Sequence, residues 1–210
     1  MILDQIIKRL KARLREALPG VAVQQQMAPV LKHISPSGFK LFSETRPGGV
    51  LVLLYPYNGE LHLPLILRTE YSGTHSGQVS FPGGKKEDND PDLIYTALRE
   101  SSEELGIPEK EVRVLGVLSE LFIAASNFKV LPVVGYMRER PKFRIEQREV
   151  AEIIEVPLSL LLDSKVVKTK SFKVSTGFTI QAPYYAIKEH TVWGATAMML
   201  SEFLSIYKDL

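Results

Sequence analysis

The chain has 210 residues, 45% of them apolar and 24% charged, which suits a globular fold with a sizeable core. A formal net charge of +2 is too small for nucleic-acid binding by bulk electrostatics, so any anion recognition must be local, through residues such as Arg68, Lys85 and Lys86. The absence of cysteine excludes a disulfide framework, a thiolate zinc site and a cysteine nucleophile, and it leaves any metal to oxygen or histidine ligands; the cytoplasm is the default compartment.

The opening stretch MILDQIIKRLKARLREAL is broken by charge at Asp4, Lys8 and Arg9, so it lacks the continuous apolar run expected of a signal peptide or a membrane span. Its apolar residues Leu3, Ile6, Ile7, Leu10, Leu14 and Leu18 recur at helical spacing. This predicts an amphipathic helix that docks on the domain or on a partner subunit, a homodimer being one such partnership. QQQMAPVLKHISPSG then reads as an irregular surface segment, so that 1–45 forms an N-terminal extension of one domain whose core runs over 46–210. Two strand-like runs, Val50 to Tyr55 and Leu61 to Leu67, flank an Asn58-Gly59 turn signal and predict a hairpin. Further strands are expected at about 112–122, 129–137, 166–172 and 177–187, with a short helix at 157–162 and a last helix over 193–207.

Between the hairpin and the next strand lies SGQVSFPGGKKEDNDPDLIYTALRESSEELGI: a glycine-rich loop, an acidic turn and a helix. On that helix Ile94, Ala97, Leu98 and Leu105 make the stripe expected to be buried, while Glu100, Glu103 and Glu104 share an arc on the other side, facing away from the core. Like charges at this spacing repel by a few tenths of a kcal/mol per pair, roughly, so water, an Arg99–Glu103 pair or a bound cation must offset them. The loop is not a Walker motif, since Val79 stands at the first glycine position and Lys86 at the Ser/Thr position; no strand-GxGxxG-helix unit, GxSxG elbow or HExxH pair occurs either. Redox-cofactor and serine-hydrolase readings thereby lose support. Three carboxylates behind a glycine loop suit Mg²⁺ or Mn²⁺, hard cations that bind phosphate oxygens and an attacking water together, and point to hydrolysis of a phosphate ester or anhydride.

The stretch from Gly84 through RESSEELGI resembles the box of the Nudix hydrolases, matched by Arg99, Glu100, Glu103, Glu104, Gly106 and Ile107. The Gly84-to-Arg99 spacing is one residue longer than the general box, and Asp90 or Asp92 stands where that box usually has Glu. Both departures, with TALRE, are similar to the coenzyme A pyrophosphatase branch. So are Arg68, His75 and GQVSFPGG upstream, and EVAEIIEVPLSLLL (149–162) and VWGATAMML (192–200) downstream. Members of that branch usually carry an arginine where this chain has Gly73, which bears on substrate choice.

The resemblance implies an α/β fold, the Nudix α/β/α sandwich with a mixed sheet, here with an additional N-terminal helix. It implies Mg²⁺ or Mn²⁺ on Glu100, Glu103, Glu104 and the Gly83 carbonyl, with Arg99 orienting a glutamate and Arg68, His75 and Lys85 contacting substrate. The implied reaction is hydrolysis of coenzyme A or a derivative to adenosine 3′,5′-bisphosphate and 4′-phosphopantetheine. NADH or ADP-ribose is the rival substrate, and a Nudix-fold binding module without turnover the rival class. Glu152, Glu149 and Glu155 compete for the role of a downstream carboxylate, with a solvated role for Glu152 the simpler expectation. Trp193 is expected in the core at the start of the last helix, an adenine platform being the alternative.

Overall fold

The computed structural model describes residues 2–30, 45–70, 75–173 and 179–210. Asn58 and Gly59 both take positive φ (48° and 84°), as a two-residue hairpin turn requires, and join strand β1 (Arg46–Tyr57) to β2 (Glu60–Arg68). The two strands pair only at Tyr55–Tyr57 against Glu60–His62 and then part. From there β1 runs antiparallel to β4 (Gly83–Lys85) and parallel to β7 (Phe128–Tyr136). On the other branch, β2 pairs with β3 (Val79–Ser80) and with β8 (Val150–Pro157), both antiparallel. Adding β5 (Arg113–Val117) and β6 (Leu121–Ile123) on β7 completes a mixed eight-stranded sheet. The single strand expected at 112–122 is two strands, because the Ser119 amide leaves the ladder to donate to Glu202.

Leu51 to Tyr55 are completely buried, so this stretch of β1 is apolar on both faces, as a strand covered on both sides must be. Leu51, Leu53 and Tyr55 pack with Ala97 and Leu105 of helix α3 (Leu93–Leu105). Val52 and Leu54 belong to the opposite core with Leu10 of α1 (Ile2–Arg13) and Phe203 of α5 (Gly194–Lys208). This is the α/β layering expected, a mixed sheet flanked by helices. Helix α1 and the turn after it dock on their own domain through Ile7, Leu10 and Leu14, which are 6% exposed or less, with β5 and α5 against the helix. Gly116 in β5 makes room for it: a Cβ there would fall 2.8 Å from Leu14 Cβ.

The segment expected to be irregular, 24–38, instead continues helix α2 (Val21–Gln24) into a 3₁₀ turn at Gln25–Met27; residues 31–44 lie outside the described residues. The cause is tertiary. Glu202 of α5 is fully buried and accepts from Gly20 N–H (3.2 Å), Ser119 N–H (3.2 Å) and the Gln24 side-chain amide (2.8 Å), which pins the chain into that turn. After the short helix α4 (Leu158–Leu162), strands β9 (Val167–Lys173), β10 (Thr179–Ile187) and β11 (His190–Trp193) form a separate antiparallel sheet in the order β11-β10-β9. Neither β8 nor β11 was expected. Trp193 is half-buried, not in the core, and stacks on Phe172 with ring centroids 4.1 Å apart. No described helix is long and apolar enough to cross a membrane.

Candidate functional site

Helix α3 is closed at both ends by its own sequence. The Asp92 carboxylate caps its first turn by accepting from Tyr95 N–H (2.8 Å), and Gly106 ends it in the left-handed region (φ 67°), its N–H returning to Ser102 O (2.8 Å). The loop beyond is fastened to the helix end, Arg144 N–H donating to Leu105 O (2.8 Å) and Glu146 N–H to Glu104 O (3.0 Å). These bonds satisfy terminal carbonyls of the helix and fix the approach of Glu149.

The two acids left open by the sequence divide the work: Asp92 is the cap, and Asp90 is the anchor of Arg99. Asp90 is buried and accepts from Arg99 Nε (2.9 Å) and Nη2 (3.0 Å), from the Thr96 hydroxyl (2.9 Å) and from Glu87 N–H (3.0 Å). The Arg99 guanidinium holds the Asp90 carboxyl well below the usual carboxylate range, the backbone and Thr96 donors adding to it against the cost of burial. The same guanidinium reaches Glu103 (2.9 Å) as expected, and also Glu100 (3.0 Å) and Lys85 O (3.2 Å). Arg99 therefore ties the acidic turn, the glycine loop and two glutamates of the helix to one point.

The three glutamates are not equivalent. Glu103 is the outward one, its side chain 60% exposed, whereas Glu104 is 1% exposed, correcting the expectation that all three face away from the core. Glu104 is drawn in by partners on other elements: Gly83 N–H (2.8 Å) on β4 and Arg68 Nη1 (3.1 Å) at the end of β2. Burial pushes its carboxyl up to about 7, against the opposing pull of Gly83 and Arg68. Glu100 is raised too, first by burial, then by the nearby carboxylates of Glu103 and Glu149, with Arg99 opposing. Gly84 packs against the Glu100 carboxylate so closely that a Cβ there would overlap it, at 2.4 to 2.6 Å, and Gly83 has φ 145°, a conformation that L side chains rarely adopt.

Glu149 acts electrostatically on both Glu100 and Glu104, which sets it apart from its two competitors. Glu155 is taken by Arg140 (2.8 and 2.6 Å) and the Tyr55 hydroxyl (2.8 Å), and Glu152 lies in β8 opposite Leu67. His75 sits at positive φ (74°) in a turn in which its Nδ1 lies 3.0 Å from Gln78 Oε1. Lys85 has an exposed side chain at the end of β4, and Gly73 lies outside the described residues. Glu100 and Glu104 thus set carboxylates beside two glycines with room for no side chain, with the charge of Glu149 felt at both, oxygen donors of the kind that a hard divalent cation takes. A second candidate metal-coordinating cluster, Glu152, Glu189 and His190, has its ligand atoms within 4.8 Å of one another. Sequence patterns gave no sign of it, because Glu152 comes from the main sheet and Glu189 and His190 from the turn and strand of the smaller one.

Comparison with known proteins agrees with this architecture. The NUDIX domain model matches residues 45–171, and the chain belongs to the Nudix family. It is 38% identical over 144 residues to an uncharacterized Nudix hydrolase NudL of Photorhabdus laumondii, covering 66% of this chain and 75% of that protein. It is 32% identical over 192 residues to Nudix hydrolase 15, mitochondrial, of Arabidopsis thaliana, covering 89% of this chain and 65% of the relative. Among solved structures, a MutT/nudix family protein from Enterococcus faecalis superposes with a TM-score of 0.51 at 14% identity, over 85% of this chain and 66% of that one, a likeness of fold.

Proposed function

We propose that this Nudix hydrolase of a nucleoside-diphosphate-linked substrate cleaves the diphosphate bond of coenzyme A or a derivative, giving adenosine 3′,5′-bisphosphate and 4′-phosphopantetheine. The observation that carries the reading is the contact between Arg68 and Glu104, because it joins the upstream signature of Arg68, His75 and GQVSFPGG to the acidic helix in one site. Mg²⁺ or Mn²⁺, held by Glu100, Glu104 and the Gly83 carbonyl, with Glu149 adding its charge and Glu103 turning in from its exposed pair with Arg99, would supply charge neutralisation at the diphosphate and a more acidic water. Arg99 holds the glutamates in position through Asp90. Arg68, now paired with a carboxylate, is the cation best placed to turn to a substrate phosphate, with Lys85 at the open rim and His75 in the adjoining turn.

The test is hydrolysis of coenzyme A, dephospho-coenzyme A, NADH and ADP-ribose with Mg²⁺ or Mn²⁺. A charge-assisted contact to the 3′-phosphate of coenzyme A is worth about 1.5 to 3 kcal/mol, so a preference over the dephospho form of roughly ten- to a hundredfold in kcat/KM is expected, reduced because Gly73 offers no cation. Equal rates on the two, with faster turnover of NADH or ADP-ribose, would overturn the coenzyme A assignment and leave the hydrolase class standing.

A further inference from the structure

We propose that Glu152, Glu189 and His190 form a transition-metal site, best suited to Zn²⁺, that staples the small β9–β11 sheet to the main sheet. The three residues are brought together by topology alone. Glu152 projects from β8 of the eight-stranded sheet, Glu189 lies in the turn between β10 and β11, and His190 opens β11. Lys188 holds that turn at φ 51°, which delivers Glu189 and His190 consecutively to the same point.

Two observations about His190 point to an ion. Its side chain is 9% exposed, and its Nε2 is buried with no hydrogen-bond partner, an arrangement that costs free energy unless something else satisfies the nitrogen. Nε2 also lies 3.4 Å from Glu152 Oε1 and 3.6 Å from Glu189 Oε1. Those separations exceed the usual hydrogen-bond range of about 2.7 to 3.2 Å. The first falls within, and the second within about 0.1 Å of, the separation of about 3.3 to 3.5 Å between two ligands bound to one zinc ion at tetrahedral angles and bond lengths near 2.0 to 2.1 Å. One imidazole with two carboxylates suits zinc better than Mg²⁺, which prefers an all-oxygen shell. Two carboxylates also balance the charge of a divalent ion. Both glutamates are partly exposed, with side chains at 47% and 73%, so an ion can enter from solvent and water can fill its remaining position.

The site differs from the α3 acids in ligand chemistry, and that makes it testable apart from them. Zn²⁺ is titrated calorimetrically into the metal-free chain in excess Mg²⁺, and Co²⁺ is added separately for its visible spectrum. One Zn²⁺ per chain is expected, with the intense absorption of low-coordinate Co²⁺ and a higher melting temperature. Glu152→Gln, a substitution at a partly exposed side chain, should weaken Zn²⁺ binding at least about tenfold, as should His190→Ala, while Glu100→Gln leaves it unchanged. If no zinc binds, or if binding survives Glu152→Gln and His190→Ala but falls with Glu100→Gln, the site does not exist. A melting temperature that falls in His190→Ala equally with and without zinc, in the absence of zinc binding, would show that the trio is held by direct contacts without an ion and overturn the proposal.

Discussion

Arg99 and Asp90 show how a single residue pair sets the site. Asp90→Ala takes two hydrogen bonds from a guanidinium whose side chain is only 12% exposed and leaves it Glu100 and Glu103, which should cost about 1 to 3 kcal/mol of stability. The folded carboxyl is held below its unfolded value of about 3.9, so its contribution is fully present above that value and is lost as the pH falls through the folded one. Thermal unfolding of wild type and Asp90→Ala should therefore differ most near neutrality and converge in acid. A gap that persists undiminished at the lowest pH where both fold would locate the effect in packing, not charge. For Glu104, Glu104→Gln keeps the shape and removes the charge, so turnover should fall by roughly 10² to 10⁴ while the metal-free chain, relieved of a buried charge, melts no lower than wild type above pH 7. Activity within a few-fold of wild type, on folded protein, would remove Glu104 from the site. The identity of these acids was legible in the sequence, because RESSEELGI spaces them on one helix. Their inequality was not: Glu104 is buried by Gly83 and Arg68, partners 21 and 36 residues away.

At the scale of elements, the legible parts were those whose signals are local. Asn58-Gly59 announced the β1–β2 turn and the apolar spacing of the first residues announced α1, whereas the capping roles of Asp92 and Gly106 at the ends of α3 came with the structure. Helix α2 carries no apolar period of its own and exists because Glu202 gathers its neighbours; β11 is a four-residue strand that depends on β10 for its pairing. Two predictions follow from these cases. Gly106→Ala places a Cβ 2.8 Å from Arg144 Cβ at a left-handed position, and should lower the unfolding free energy by about 1 to 3 kcal/mol in a denaturant titration. Glu202→Leu strips the Gly20 and Ser119 N–H groups of their acceptor, each worth about 1 to 3 kcal/mol when left buried and unpaired, and leaves the Gln24 amide only Ser119 O. A denaturation midpoint unchanged by that substitution would show that the N-terminal segment is held by its apolar contacts alone.

For the molecule as a whole, the carboxylates crowded around α3 imply linkage between ion and fold. Mg²⁺ at a hundred times its dissociation constant should add about 2.7 kcal/mol and raise the melting temperature by roughly 5 to 10 °C in a chain of this size. Thermal scans in Mg²⁺ and in EDTA that coincide would mean that the acids are merely solvated. The stretch Leu51 to Tyr55, shielded on both faces, offers a way to read that linkage amide by amide. Its backbone N–H groups can meet deuterated solvent only when the central strand comes free, which requires the whole sheet to open, so their exchange rates report global unfolding and not local breathing. An ion that binds only the folded chain should slow these five amides by one common factor, about a hundredfold under the same Mg²⁺ conditions. Deuterium uptake in this short strand would then serve as a binding isotherm for a site on a different element.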